Sequence, residues 1–232
     1  MPKEAIMTTS PAGHRQRLKQ RFAKSGFQGF HDYEVLELLL MYAVPRKDTK
    51  PVAKELIKRF KNLPGVLSAD TKQLEGIAGI GPQASQFLKT LDALIGYYFD
   101  QRAVSGDIQF TQLPQLVDYF RATIGRSPNE TMRVLYLNSL NKLIYAEKIS
   151  EGTVSETVVL PRKMVENALK HHATTVIIAH NHPGGLPEPS ENDNAITQKV
   201  KNALQTVNIT LQEHIIIAED GYYSFRQNGI LG

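Results

Sequence analysis

The hydrophobic pattern of this chain changes period once, across Asp100 to Gln109, and that change constrains the fold more than any other feature. Before it, apolar residues recur at helical spacing. Phe27 to Ala43 carries Tyr33, Leu36, Leu39, Leu40 and Ala43 on one face, and Pro45 in the polar stretch PRKDTKP stops that helix. Pro51 suits the first turn of a second helix running to about Phe60, with Asp48 or Thr49 as its cap. A helix-rich unit continues to about Phe99. After the break, Met132 to Leu137 and Leu143 to Ile149 are β-branched or aromatic, and the turn-like Asn138-Ser139-Leu140-Asn141 joins them as a hairpin. A third strand is expected from Val154 to Leu160. There follow a helix from Pro161 to about His171, a buried-type strand at Thr175 to Ala179, and a Gly/Pro loop at Pro183 to Pro189. The chain closes with a helix from Ser190 to Leu204, a strand from Thr210 to Ala218 and a short strand after Gly221. The order predicts an α/β (α+β) protein. Residues 1–12 are expected to be loose, 13–100 to be all-helical and 101–109 to link them to 110–232, where helices pack on a mainly antiparallel sheet.

Cysteine is absent, which excludes disulfide scaffolds, thiolate nucleophiles, iron–sulfur clusters and Cys-ligated zinc. A bound metal would need His, Asp or Glu. No apolar run reaches the ~18 residues of a membrane span, and the first residues lack a signal-peptide core, so the expectation is a soluble cytoplasmic protein with no membrane partner. The formal charge of +4 is uneven: residues 1–102 hold 16 Lys and Arg against 10 Asp and Glu, and the remainder 11 against 13. Within the basic half, HRQRLKQRFAK sets Arg15, Arg17, Lys19, Arg21 and Lys24 on one short helical stretch. Cations so close can track a phosphate backbone or simply solvate a helix face.

Gly79 and Gly81 flank Ile80, and Pro82 stands where the next helix begins, followed by Ala84, Phe87, Leu88 and Leu91 at helical spacing. Glycines allow close backbone approach, and a helix N-terminus offers unpaired N–H groups, so the pair can hold a phosphate. This stretch resembles the helix-hairpin-helix motif, whose known role is nonspecific contact with the DNA backbone. The nearest cations are Lys72 and Lys89.

Of seven histidines, His180 and His182 are the informative pair. Two apart at a strand end, they point to one face and can converge on one ion. Asp193, in the first turn of a helix capped by Ser190, can swing back to the strand end. Two His and one Asp leave a fourth position for water, as in a catalytic zinc site. Ser190-x-x-Asp193 also reads as a plain capping box, in which Asp193 serves only the helix start. His214, on an apolar strand, reads as a hydrogen-bonded core residue rather than a ligand.

The string HNHPGGLPEPSEND, with Ser three residues before Asp193, resembles the JAMM (MPN) metalloprotease motif. Together with GTVSE, the PRKM helix start, LQEHIII and DGYYSF, the chain resembles the RadC family over nearly its whole length. That family is described as joining a JAMM-like domain to a helix-hairpin-helix segment and has long been linked to DNA repair. The resemblance implies one zinc ion per chain on His180, His182 and Asp193, an upstream glutamate as general base, and Ser190 beside the oxyanion. Glu130, opening the first strand, fits the base, and Glu147 on the second strand is the competitor. The implied activity is hydrolysis of a peptide, isopeptide or related amide bond of an unidentified substrate. A non-catalytic DNA-binding factor and a metal-dependent nuclease are the alternatives.

Overall fold

The computed structural model describes residues 11–45, 47–150 and 159–231. Two compact units divide at Ala93/Leu94, inside a long helix. The first contains α1 (Pro11–Ser25), α2 (Asp32–Ala43), α3 (Lys50–Phe60), α4 (Leu63–Ser68), α5 (Thr71–Glu75) and the start of α6 (Pro82–Ser105). Leu36, Leu40, Leu56, Val66, Leu74 and Leu88 are buried, the periodic apolar positions of these helices. Helix α1 begins at Pro11, so the end of the segment expected to be loose is helical, while residues 1–10 lie outside the described residues. At the start of α3 it is Asp48 whose side chain accepts a bond, from Lys50 N at 3.0 Å; the Thr49 hydroxyl instead donates to the Glu37 carbonyl.

The expected linker is helical through Ser105. Gly106 ends α6 with φ +84, and the amides of Gly106 and Asp107 return to the carbonyls of Ala103 and Arg102. That pair of bonds is a Schellman stop, which favours glycine at the left-handed position. A helix that the sequence pattern did not announce, α7 (Leu113–Thr123), follows, with Pro114 in its first turn.

The second unit is built on a five-stranded sheet of β1 (Thr131–Leu137), β2 (Leu143–Ser150), β3 (Thr175–Asn181), β4 (Thr210–Ala218) and β5 (Gly221–Ser224), in the order β2-β1-β3-β4-β5. Every pairing is antiparallel except β3 with β4, which α9 (Glu191–Gln205) connects as a crossover. Residues 151–158, most of the expected third strand, lie outside the described residues, and Val159 already opens α8 (Val159–Lys170).

Alternation along β3 sorts the two faces. Val176 and Ile178 join Met164 and Ala168 of α8 and Ile196, Val200 and Leu204 of α9 in one buried cluster. Ile177 and Ala179 join Leu116, Val117 and Phe120 of α7 in the other. Helices thus cover both faces of the sheet. By the same alternation, His180 points toward the α8 and α9 side and Asn181 toward the α7 side.

Candidate metal centre

Strand β3 ends beside the start of α9, the place where an α/β crossover gathers strand-end side chains and a helix N-terminus. Glu130, His180, His182 and Asp193 meet there, each with one ligand atom, and these atoms all lie within 4.8 Å of one another. His180 Nε2 is 3.2 Å from Asp193 Oδ1 and 3.0 Å from His182 Nε2, and His182 Nε2 is 3.7 Å from Asp193 Oδ2. A tetrahedral ion bonded at about 2.0–2.1 Å separates its ligand atoms by about 3.3 Å. The two distances from His180 Nε2 lie close to that value, and all four donors lie within 4.8 Å of one another, so the donor set fits a small divalent cation. Glu130 stands immediately before β1, 4.0 Å from His180 Nε2, on the more exposed rim.

His182 and Asp193 are braced from outside the cluster. His182 Nδ1 faces the Leu186 carbonyl at 3.0 Å. A carbonyl can only accept, so the ring carries its proton on Nδ1 and leaves Nε2 bare toward the cluster. Asp193 divides its carboxylate: Oδ2 accepts from Ser190 N at 2.8 Å and Ser190 Oγ at 2.6 Å, while Oδ1 faces His180. The capping box is complete, with Ser190 Oγ accepting from Asp193 N. Burial opposes ionisation of Asp193, yet hydrogen bonds from His180 and Ser190 outweigh it and hold the carboxyl well below the usual carboxylate range.

Glu147 stands outside this group. It accepts from Tyr136 Oη at 2.6 Å and Asn167 Nδ2 at 2.8 Å, and Lys163 Nζ lies 3.2 Å away. Burial and that bond to Glu147 push the Tyr136 phenol up. His214 is fully buried and hydrogen-bonded, and burial pushes its ring well below the ordinary imidazole value.

Asn181, between the two histidines, drew no notice in the sequence. Its Oδ1 accepts from Thr131 N at 2.8 Å and its Nδ2 donates to Ser127 O at 3.0 Å. It therefore anchors the segment that carries Glu130 to the strand that carries the histidines. The only sequence signal was its position, facing away from the ligands on a strand.

In the first unit, much of the basic stretch is committed internally. Arg15 donates to the carbonyls of Met41 and Lys47, Arg21 pairs with Glu34 at 2.7 Å over the Phe30 ring, and Lys19 lies over Tyr42. Arg17 is exposed. Lys89 donates to the carbonyls of Leu67 and Ala69. Gly79 has φ +98, and a Cβ there would meet Val52 Cγ2 at 2.8 Å, whereas Gly81 faces open space. Of the two glycines, only Gly79 is required by the turn.

A sheet covered by helices on both faces, with Glu, His, His and Asp gathered where β3 meets α9, defines a JAB/MPN-type domain. Residues 110–230 match the RadC-like JAB domain family. The chain is 36% identical over 225 residues to the UPF0758 protein FN0909 of Fusobacterium nucleatum subsp. nucleatum, covering 94% of this chain and 97% of that protein. The chain belongs to the RadC family. No helix among the described residues is long and apolar enough to cross a membrane.

Proposed function

We propose that this protein is a zinc-dependent hydrolase that cleaves an amide bond of peptide or isopeptide type. The observation that carries the reading is the convergence of His180, His182 and Asp193 within reach of one ion, with the Glu130 carboxylate 4.0 Å from His180 Nε2. Zinc held by those three residues supplies Lewis-acid chemistry, acidifying water toward neutral pH and polarising a carbonyl oxygen. Glu130 takes the proton of the attacking water and delivers it to the departing amine, a role suited to a carboxylate on the accessible rim. Ser190 has two tasks. Its hydroxyl orients Asp193, and because Oδ2 keeps the Ser190 N–H, the same hydroxyl can turn to the developing oxyanion without stripping Asp193 of its support.

The test is metal analysis combined with an activity screen on peptide, isopeptide and single- and double-stranded DNA substrates, with and without chelator. The expected result is about one zinc per chain, lost in His180→Ala and Asp193→Ala, and chelator-sensitive cleavage of an amide substrate. Full metal occupancy in His180→Ala would refute the site. Chelator-sensitive cleavage of DNA alone would replace the peptidase by a nuclease using the same residues.

A further inference from the structure

We propose that His214 and Thr197 form a directed hydrogen-bond relay that holds the proton of His180 on Nδ1 and so presents Nε2 to the metal. The proposal rests on the metal-site reading above and extends it to two residues that are not themselves ligands. His180 Nδ1 lies 2.9 Å from His214 Nε2, His214 Nδ1 lies 2.6 Å from Thr197 Oγ1, and Thr197 Oγ1 lies 2.6 Å from the Asp193 carbonyl. Distances alone do not orient such a chain, but its last member does. The Asp193 carbonyl can only accept, so the single hydroxyl proton of Thr197 points to it. Thr197 Oγ1 is then the acceptor for His214 Nδ1–H.

The other nitrogen of His214 is consequently a lone pair. A second proton there would create an imidazolium that is fully buried, stacked on Phe225 at 4.3 Å, with both ring nitrogens turned to His180 and Thr197, neither of them an acid. An unpaired charge is strongly disfavoured in such a place. His180 Nδ1–H therefore donates to His214, which leaves Nε2 as the nitrogen for the metal; in the metal-free protein that nitrogen donates to Asp193 Oδ1 at 3.2 Å. Nε2 faces Asp193, His182 and Glu130. His182 keeps its own proton on Nδ1 by a shorter route, through the Leu186 carbonyl.

The relay also returns to the site. Asp193 closes it with its backbone carbonyl and joins the cluster with its side chain, while Thr197 stands one helical turn further along α9. His214 comes from β4, the parallel neighbour of β3. One chain of three hydrogen bonds thus couples the helix and both strands that build the centre. Outer partners of this kind set the orientation and tautomer of metal-binding histidines.

The experiment uses the full chain with 15N-labelled histidine, at about pH 8, above the ordinary imidazole value. Two-bond proton–nitrogen correlation spectra read the tautomer of each ring, first without metal and then with zinc. The expected result is Nδ1–H on His214 with and without metal, and Nδ1–H with an unprotonated Nε2 on His180 in the zinc-loaded protein. Zinc competition against a chromophoric chelator then measures affinity. His214→Phe, which keeps the ring volume and removes the acceptor, should weaken zinc binding by about 10- to 100-fold. Thr197→Val should shift His214 toward Nε2–H and weaken zinc in the same direction, and Thr197→Ser should restore both. Should His214→Phe fail to fold, the nearly isosteric Thr197→Val carries the test. Nε2–H on His214 in the metal-free wild type, or unchanged tautomer and affinity in folded Thr197→Val, overturns the relay. A wild type that takes no zinc while His214 shows Nδ1–H keeps the relay and defeats the metal reading instead.

Discussion

Asn181 is the residue whose loss should separate the two halves of the site. Its side chain, 1% exposed, accepts from Thr131 N and donates to Ser127 O across 50 and 54 residues of sequence. Asn181→Ala leaves the amide of Thr131, a residue 2% exposed, without its acceptor, and the Ser127 carbonyl without that donor. A buried group stripped of its partner costs about 1–3 kcal/mol, and the half-buried carbonyl belongs at the lower end of that range. The expected loss is therefore about 2–4 kcal/mol, a large part of the ~5–15 kcal/mol that holds a typical domain. Urea unfolding followed by circular dichroism should show the sheet-bearing transition shifted down by about 1–2 M, taking a slope of about 2 kcal/mol per molar. Amide exchange at Thr131 should lose its protection, a local signature that general destabilisation does not single out. Asn181→Asp should fare no better, because it keeps an acceptor for Thr131 but turns a carboxylate oxygen toward the Ser127 carbonyl. The proposed metal ligands come from the end of β3 and from α9, so the variant should hold zinc while losing hydrolysis through displacement of Glu130. A midpoint within 0.5 M of wild type, roughly 1 kcal/mol at that slope, with Thr131 still protected would refute the reasoning.

Glu130→Gln should retain zinc and abolish hydrolysis, since the amide cannot take a proton; Glu147→Gln should leave turnover intact and lower thermal stability, because Glu147 is tied to Tyr136, Asn167 and Lys163. Gly79→Ala should destabilise the first unit through its positive φ and the collision with Val52, whereas Gly81→Ala should be nearly silent, as thermal melts of the full chain will tell. We further propose weak, sequence-independent DNA binding by the first unit; with Arg15 and Arg21 bonded internally, the log–log salt slope of the full chain on duplex DNA should not be steeper than about −3, at −0.9 per phosphate contact. Absence of retention of labelled DNA at low salt would mean the hairpin is a packing unit. Asp193 is held below the ordinary carboxylate range, so its contribution to stability is present above the unfolded value of about 3.9 and is lost as pH falls through the folded value. In chelated protein, the difference in melting temperature between wild type and Asp193→Asn should therefore shrink on acidification below about pH 4.

What the sequence displays is periodicity and spacing, and the elements that depend on those alone were legible. The change of period announced a helical part followed by strands and helices, and two-residue alternation set His180 and His182 on one side of β3. Helix α6 was cut short because exposed Leu94, Tyr97, Tyr98 and Val104 mask its inward stripe, which in the second half is carried by Phe99 and Ala103. Partners far apart in sequence were not legible. Arg15 looked like a phosphate contact because its charge is visible in the sequence and its acceptors, 26 and 32 residues away, are not. Asn181 and Thr197 failed to stand out for the same reason. Each is an ordinary polar residue on an otherwise regular element, and only the fold supplies Ser127, Thr131 and His214 as neighbours.

The two readings of Ser190-x-x-Asp193 were never in competition, and the geometry says why. A capping box uses the third-position carboxylate through one oxygen, here Oδ2, which returns to the Ser190 amide and hydroxyl. The second oxygen is left over. On most helices it faces water, but α9 begins where β3 ends, and Oδ1 is directed to His180 at 3.2 Å. The cap therefore performs the positioning that a metal ligand needs: it fixes the carboxylate plane without consuming its free oxygen. The positive end of the helix dipole adds to this by favouring the ionised form, the one a cation binds. A serine three residues before the acid is thus the cheapest local device for presenting a rigid, charged ligand at a strand–helix junction, which is why the spacing alone carried so much chemical information.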